Sequence, residues 1–147
     1  MIVRLLVILS VVIPLLACAK PVLQLEQFSL VPLQVGEQLI QVQLANTPEK
    51  RAQGLMFKQT AEPGMLLLYP EPRVISLWMA NTSMPLDVAY IDASGSITEL
   101  IALEPFDETS RPAKSLVIAA LEMPRGWFAQ HGVTIGQQVT LLPGATR

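Results

Sequence analysis

Turn-forming residues interrupt this chain so often that only short strands and very short helices fit between them. Ile40, Val42 and Leu44 alternate with polar residues over Gln38 to Leu44, the pattern of a half-buried strand. Met65 to Tyr69 is apolar throughout, as a strand covered on both faces requires, and Pro70 and Pro72 bracket the loop after it. Next, Ile75, Leu77 and Met79 face one way and Ser76, Trp78 and Ala80 the other. The turn-prone run Asn81 to Pro85 ends that alternation, and Val88 to Ile91 resumes as a strand. Asp92 to Gly95 reads as a hairpin turn, with the glycine where positive φ is needed, and Ser96 to Leu103 as its return strand. Residues 104–112 are polar and proline-bracketed, the longest exposed loop. Ser115 to Leu121 is a buried strand ending at Glu122, and Gln138 to Leu142 is the last strand.

Two short helices interrupt the strands. Thr47 is placed to cap one, with Pro48 at its first position, Glu49 near its positive end and Gly54 to stop it. Gly126 to Gly132 supplies one or two further turns. The expected fold is all-β and mainly antiparallel, a compact sandwich or barrel of about seven to eight strands with one or two short helices.

The excess of apolar residues, 51% of the chain, is concentrated at the N-terminus. Arg4 lies in a short n-region, and Leu5 to Leu16 is an apolar run broken only by Ser10 and Pro14, too short for the ~20 residues of a membrane span. The run stops at Ala17-Cys18-Ala19. Leu15-Leu16-Ala17-Cys18 resembles a bacterial lipobox, which makes Cys18 a lipidated N-terminus; cleavage after Ala19 is the alternative. Cys18 is the single cysteine, so no disulfide partner exists for it. The expected organisation is a signal peptide over 1–19, a tether and first strand over 20–37, and one β domain over 38–147. An exported lipoprotein facing the periplasm or the cell exterior is the leading expectation, and a soluble periplasmic protein the other.

Loss of residues 1–17 removes Arg4 and leaves nine basic residues against twelve acidic, a net charge of −3. Without a basic patch, nucleic acid is not an expected partner; the expected state is a monomer that meets a small ligand or an envelope protein and touches the membrane only through its lipid. One cysteine excludes a disulfide framework and a cysteine-based metal site. The chain has no Gly-x-Ser-x-Gly elbow, phosphate-binding glycine loop, His-Glu-x-x-His or dinucleotide fingerprint, and no cofactor is expected.

The series Arg51-Ala52-Gln53-Gly54-Leu55-Met56, Gly64-Met65-Leu66, Trp78-Met79-Ala80-Asn81-Thr82, Pro85-Leu86-Asp87 and Leu121-Glu122-Met123-Pro124-Arg125-Gly126 resembles domain-of-unknown-function family 192. The resemblance runs from about Gln38 to Leu142 and implies a compact, mostly antiparallel β domain, often exported, with no established activity. The chain departs from the family pattern at Ala80 and Lys58, where the family carries a basic residue and an arginine respectively. A cationic anion clamp at those points is therefore weakened, most directly by Ala80.

The polar members of these motifs, Arg51, Asn81, Thr82, Asp87 and Glu122, are the candidate ligand-binding residues, with Trp78 as a stacking surface. The competing account is structural: Asn81 and Thr82 tie down their loop, and Asp87 is satisfied by backbone N–H groups or an arginine. A hydrolase-like reaction needs Asp87 and Glu122 within ~10 Å of each other. A Cu(I) site drawing on Met56, Met79, Met84 and His131 is the third possibility, against the ordinary role of methionine as a core gap-filler. Mass spectrometry of the mature N-terminus tests the anchor: a lipidated Cys18 is expected, and an unmodified chain starting at Lys20 excludes it.

Overall fold

The computed structural model describes residues 24–144. The residues on which a signal peptide and a lipobox are expected lie outside that range. Within it are nine strands and two short helices: β1 (Ser29–Val35), β2 (Gln38–Ala45), α1 (Pro48–Gln53), β3 (Met65–Arg73), β4 (Ser76–Leu77), β5 (Leu86–Ile91), β6 (Ile97–Leu103), β7 (Arg111–Pro112), β8 (Val117–Pro124), α2 (Trp127–Gln130) and β9 (Val139–Leu141).

Seven strands form one sheet in the order β6-β5-β8-β3-β2-β1-β9, antiparallel except for the β2–β3 pair. That pair is parallel because α1 and the loop after it carry the chain back before β3 begins. The sheet curls until its edges meet. Gly136 donates to the Ile97 carbonyl at 2.8 Å, Ile97 to that of Gln137 at 2.9 Å, and Val139 to that of Gly95 at 2.8 Å. The fold is thus all-β and closer to a barrel than to a sandwich.

Alternation divides the core into two clusters. Val31, Leu33, Val42, Leu66, Ala89 and Leu121 fill the inside of the curl with Trp127 and Phe128 of α2. Met65, Leu67, Val88, Tyr90, Val117 and Ala120 point outward, and Leu55, Ile75, Leu77 and Met79 cover them. β3, β5 and β8 are therefore buried on both faces, which is why their sequences read as nearly continuous apolar runs. The outer layer is pinned by the Tyr90 hydroxyl, which donates to the Arg111 carbonyl, and by the small β4–β7 ribbon.

β1 is the first strand expected within 20–37, and it pairs with β2 with Val31 and Val35 fully buried. Several expectations for the elements after it need correction. β3 continues through Pro70 and Pro72 rather than stopping at Tyr69. The ladder to β8 is interrupted between Leu68 and Arg73, which is where a missing N–H is tolerated. The Ile75–Ala80 alternation is seen in the burial of Ile75, Leu77 and Met79, but only Ser76 and Leu77 pair as a strand, and Ala80 is buried. Their partners, Arg111 and Pro112, lie in what reads as an open loop. β8 runs on to Pro124, which puts Glu122 inside a strand instead of at its end.

Gly64 sits at φ 97° where β3 enters beside β8. A Cβ there would collide with Met123 Sδ and lie 3.1 Å from the Glu122 carbonyl oxygen. Gly64→Ala is expected to cost about 2–4 kcal/mol in urea denaturation, from overpacking plus left-handed strain.

Candidate functional site

The outer face of the sheet is not evenly covered. Between α1 with its following loop, the end of β3 and the β4 loop lies a cavity of about 570 Å³. Local sequence chemistry builds its first wall. Thr47 Oγ1 accepts the Lys50 N–H at 3.3 Å, Pro48 opens the helix, and Gly54, at φ 51°, donates to the Lys50 carbonyl at 2.9 Å. A helix stopped so early turns Arg51 toward β3. Its Nη1 donates to the Leu68 carbonyl at 2.8 Å, and its guanidinium lies 4.4 Å from the centre of the Tyr69 ring. Arg73 approaches the same ring at 5.4 Å.

The opposite wall is the Trp78 loop. Three backbone bonds join it to its neighbours: Phe57 N–H to the Asn81 carbonyl at 2.9 Å, Phe106 N–H to that of Thr82 at 3.0 Å, and Met79 N–H to that of Asp107 at 2.8 Å. Phe57, Asn81 and Phe106 have φ of 63°, 52° and 59°, the non-glycine residues with positive φ among the described residues. All of them meet at this corner. Asparagine adopts that conformation readily, but for the two phenylalanines it is strained. Phe57, Phe106 and Trp78 are all exposed there, Trp78 by 56%.

Glu122 forms part of the lining from the sheet side. On the outer face it lies between Met65 of β3 and Val88 of β5, its register partners. It is only 6% exposed, and Oε2 is buried with no hydrogen-bond partner. Burial in this apolar setting pushes its carboxyl up to about 7.

Of the candidate residues, Arg51, Trp78, Thr82 and Glu122 line this cavity, while Asn81 and Asp87 do not. Asn81 is a turn residue. Thr82, though in the lining, donates its hydroxyl to the Ala80 carbonyl at 3.1 Å. Asp87 pairs with Arg125 Nε at 3.0 Å and accepts the Gly126 N–H at 2.7 Å. Arg125 also donates to the carbonyls of Leu86 (3.2 Å) and Leu103 (2.8 Å) and pairs with Glu104 at 3.1 Å. The arginine clips β5, β6 and β8 together.

The Asp87–Glu122 pairing required for two-carboxylate chemistry is not made. Asp87 is in register with Met123, whose side chain is in the inner cluster, whereas Glu122 points to the outer face. Neighbouring residues of one strand project to opposite sides, and these carboxylates inherit that opposition. The four copper candidates do not converge either. Met56 and Met79 line the cavity, Met84 packs against the outer core, and His131 stacks on Trp127 at 4.3 Å with Nδ1 2.8 Å from the Trp127 carbonyl. No group of three His, Cys, Asp or Glu side chains suited to a metal occurs among the described residues. Trp127 is 9% exposed and belongs to the core.

Tyr69 and Arg73 line the cavity without having been singled out in the sequence. Tyr69 is hidden in an apolar run, and Arg73 follows a Pro-x-Pro segment that looks like loop. Arg125 was within reach of inference, since a half-buried Asp87 calls for an arginine and Arg125 lies in the Leu121–Gly126 motif.

The profile of family DUF192, described as "Uncharacterized ACR", matches residues 31–141. The chain belongs to this family. Among solved structures, DUF192 membership is accompanied by likeness to a Sinorhizobium meliloti 1021 protein for which a role as a transcription regulator has been suggested. That protein is 27% identical with a TM-score of 0.75, over 80% of this chain and 98% of the other. A protein of unknown function from Novosphingobium aromaticivorans DSM 12444 is 30% identical with a TM-score of 0.74, over 84% of this chain and 94% of the other. Among curated proteins none matches significantly.

Glu122 makes stability depend on pH with a definite sign. Its folded carboxyl titrates near 7 against 4.5 in its unperturbed state, so the native chain holds a proton that the unfolded chain has released. Stability is therefore full below about pH 4.5 and falls as pH rises through 7, by on the order of 3 kcal/mol. The carboxylates held below their ordinary range, Asp107 at about 2 and Asp92 and Glu49 by hydrogen bonds, act below that window. Urea midpoints from pH 5 to 8 are expected to fall in the wild type relative to Glu122→Gln; parallel curves would refute this.

Proposed function

We propose that this DUF192 domain is an exported, non-enzymatic binding module of the cell envelope, anchored by lipid at Cys18, which takes a small ligand into the cavity between α1, β3 and the Trp78 loop. The observation that carries the binding role is Glu122 Oε2, a buried carboxylate oxygen without a partner in the lining of a sizeable cavity. A buried acceptor left unpaired costs about 1–3 kcal/mol or more, and a ligand donor would recover it. Glu122 is also the one carboxylate in the lining, which contains no histidine or cysteine. That composition favours binding over acid–base or nucleophilic catalysis. Export and anchoring are supported by the apolar N-terminal run and its Leu-Leu-Ala-Cys18 ending. A second reading, an envelope protein as the partner, is favoured by the exposed rings of Phe57, Trp78 and Phe106 around the same corner.

A chemically mixed fragment library tests the small-ligand role through melting shifts and the NMR signals of cavity residues. A ligand at 100 times its Kd adds about 2.7 kcal/mol to stability. At least one class of fragment is expected to raise the melting temperature and move the Trp78 indole resonance, assigned with Trp78→Phe. A library that moves neither would remove the small-ligand reading.

A further inference from the structure

The cavity has two chemically different ends. At one, Arg51 and Arg73 bring two guanidiniums to a single Tyr69 ring, and neither forms an ion pair among the described residues. The Arg51–Leu68 hydrogen bond occupies Nη1 and orients the guanidinium, leaving its other N–H groups for a ligand. At the other end is the orphan oxygen of Glu122. Met65, the register partner of Glu122, precedes Tyr69 by four residues on β3, which separates the two ends by about 13 Å along the strand. Burial pushes the Glu122 carboxyl up. Leu55, Met56, Leu67, Leu77 and Met79 make the wall between them apolar.

Each simpler ligand leaves one end uncompensated. An anion alone engages the arginines but leaves Glu122 Oε2 without a partner, and a cation alone meets Glu122 but makes no use of the two guanidiniums, which are otherwise only stacked on Tyr69 and solvated. A carboxylate directed inward would sit against the Glu122 carboxyl. We infer, building on the small-ligand reading, that the ligand is a short amphoteric molecule of peptide-like length, its ammonium group on Glu122 and its carboxylate between Arg51 and Arg73. An extended tripeptide spans about 10 Å, which with the reach of the arginine side chains fits the separation.

The ammonium requires Glu122 ionised, so binding releases a proton from the site at neutral pH. The other ionisable groups facing the site from neighbouring elements are Arg51 of α1, Tyr69 and Arg73 of β3, and Tyr90 of β5. Beyond them Glu99 of β6 is paired with Lys114 at 2.7 Å. Tyr90 is pushed well above its ordinary range by burial and by the carboxylates of Glu99 and Glu122, and arginine stays charged. Affinity is therefore expected to rise from pH 5 to about 7 and to fall again once a peptide amine deprotonates near 8.

The purified full chain is titrated with alanyl-leucyl-alanine, its N-acetyl form and its C-terminal amide, by calorimetry and the Trp78 indole resonance. The free tripeptide is expected to bind, with either cap costing tenfold or more and with a bell-shaped pH profile. Glu122→Gln should cost the free tripeptide at least tenfold. Arg73→Gln, at an exposed position, should weaken the free acid and leave the amide unchanged. Capped forms that bind as well as the free tripeptide, or unchanged affinity in Glu122→Gln, would overturn the amphoteric assignment. No response to any tripeptide overturns it too: if library fragments still move the Trp78 signal, the small-ligand reading survives, and if they do not, both fall.

Discussion

Burial of β3, β5 and β8 on both faces is the constraint on which the rest of the molecule depends. A curled sheet with one apolar face could close on itself and leave its outside to water. Here the outside of the central strands carries Met65, Leu67, Val88 and Tyr90, which must be covered. The cover is assembled from short pieces: a helix too brief to be stable alone, the loop after it and a two-residue ribbon. Pieces of that size do not tile the outer face completely. The cavity is the gap they leave over the sheet.

Glu122 breaks the apolar outer pattern in the centre of the sheet, as Glu99 does on β6, but Glu99 has Lys114 as an ion-pair partner and Glu122 has none among the described residues. Its strand neighbours Leu121 and Met123 face the inner core, and its cross-strand neighbours are apolar. A carboxyl in such surroundings is tolerated at a cost in stability, and proteins keep such groups chiefly where a ligand or a proton uses them. The contrast with Asp87 is instructive. That carboxylate, on the adjacent strand, is held by an arginine and a backbone N–H. Two acids of similar sequence setting are thus given a structural role and an unsatisfied one by the same sheet.

Strain is concentrated beside the cavity as well. The positive-φ residues Phe57, Asn81 and Phe106 come from separate loops and are joined through backbone hydrogen bonds at the cavity's edge. Those bonds hold the loops in a conformation that two of the three residues would not choose, at a cost of order 1–3 kcal/mol each. The result is a fixed corner with exposed aromatic rings, in a small domain that has little apolar surface to spare.

Much of this was open to inference from residue order. The capped helix over Pro48–Gln53, the Asp92–Gly95 hairpin, the doubly buried run from Met65 and the burial of Ile75, Leu77 and Met79 all follow from interactions between residues close in the chain. Steric preference, capping and alternation need no knowledge of partners. The Pro70–Arg73 extension of β3, the β4–β7 ribbon and the inclusion of Glu122 inside β8 did not follow, because each is settled by a strand distant in sequence. So was the character of the site. Glu122 is unpaired, and is kept apart from Asp87, because the β5–β8 register sends one to the outer face and the other to the inner. The sequence determined that the chain would form short strands around capped turns. Only the tertiary structure decided which polar atoms would be left without a partner, since register and coverage depend on contacts that local chemistry does not encode.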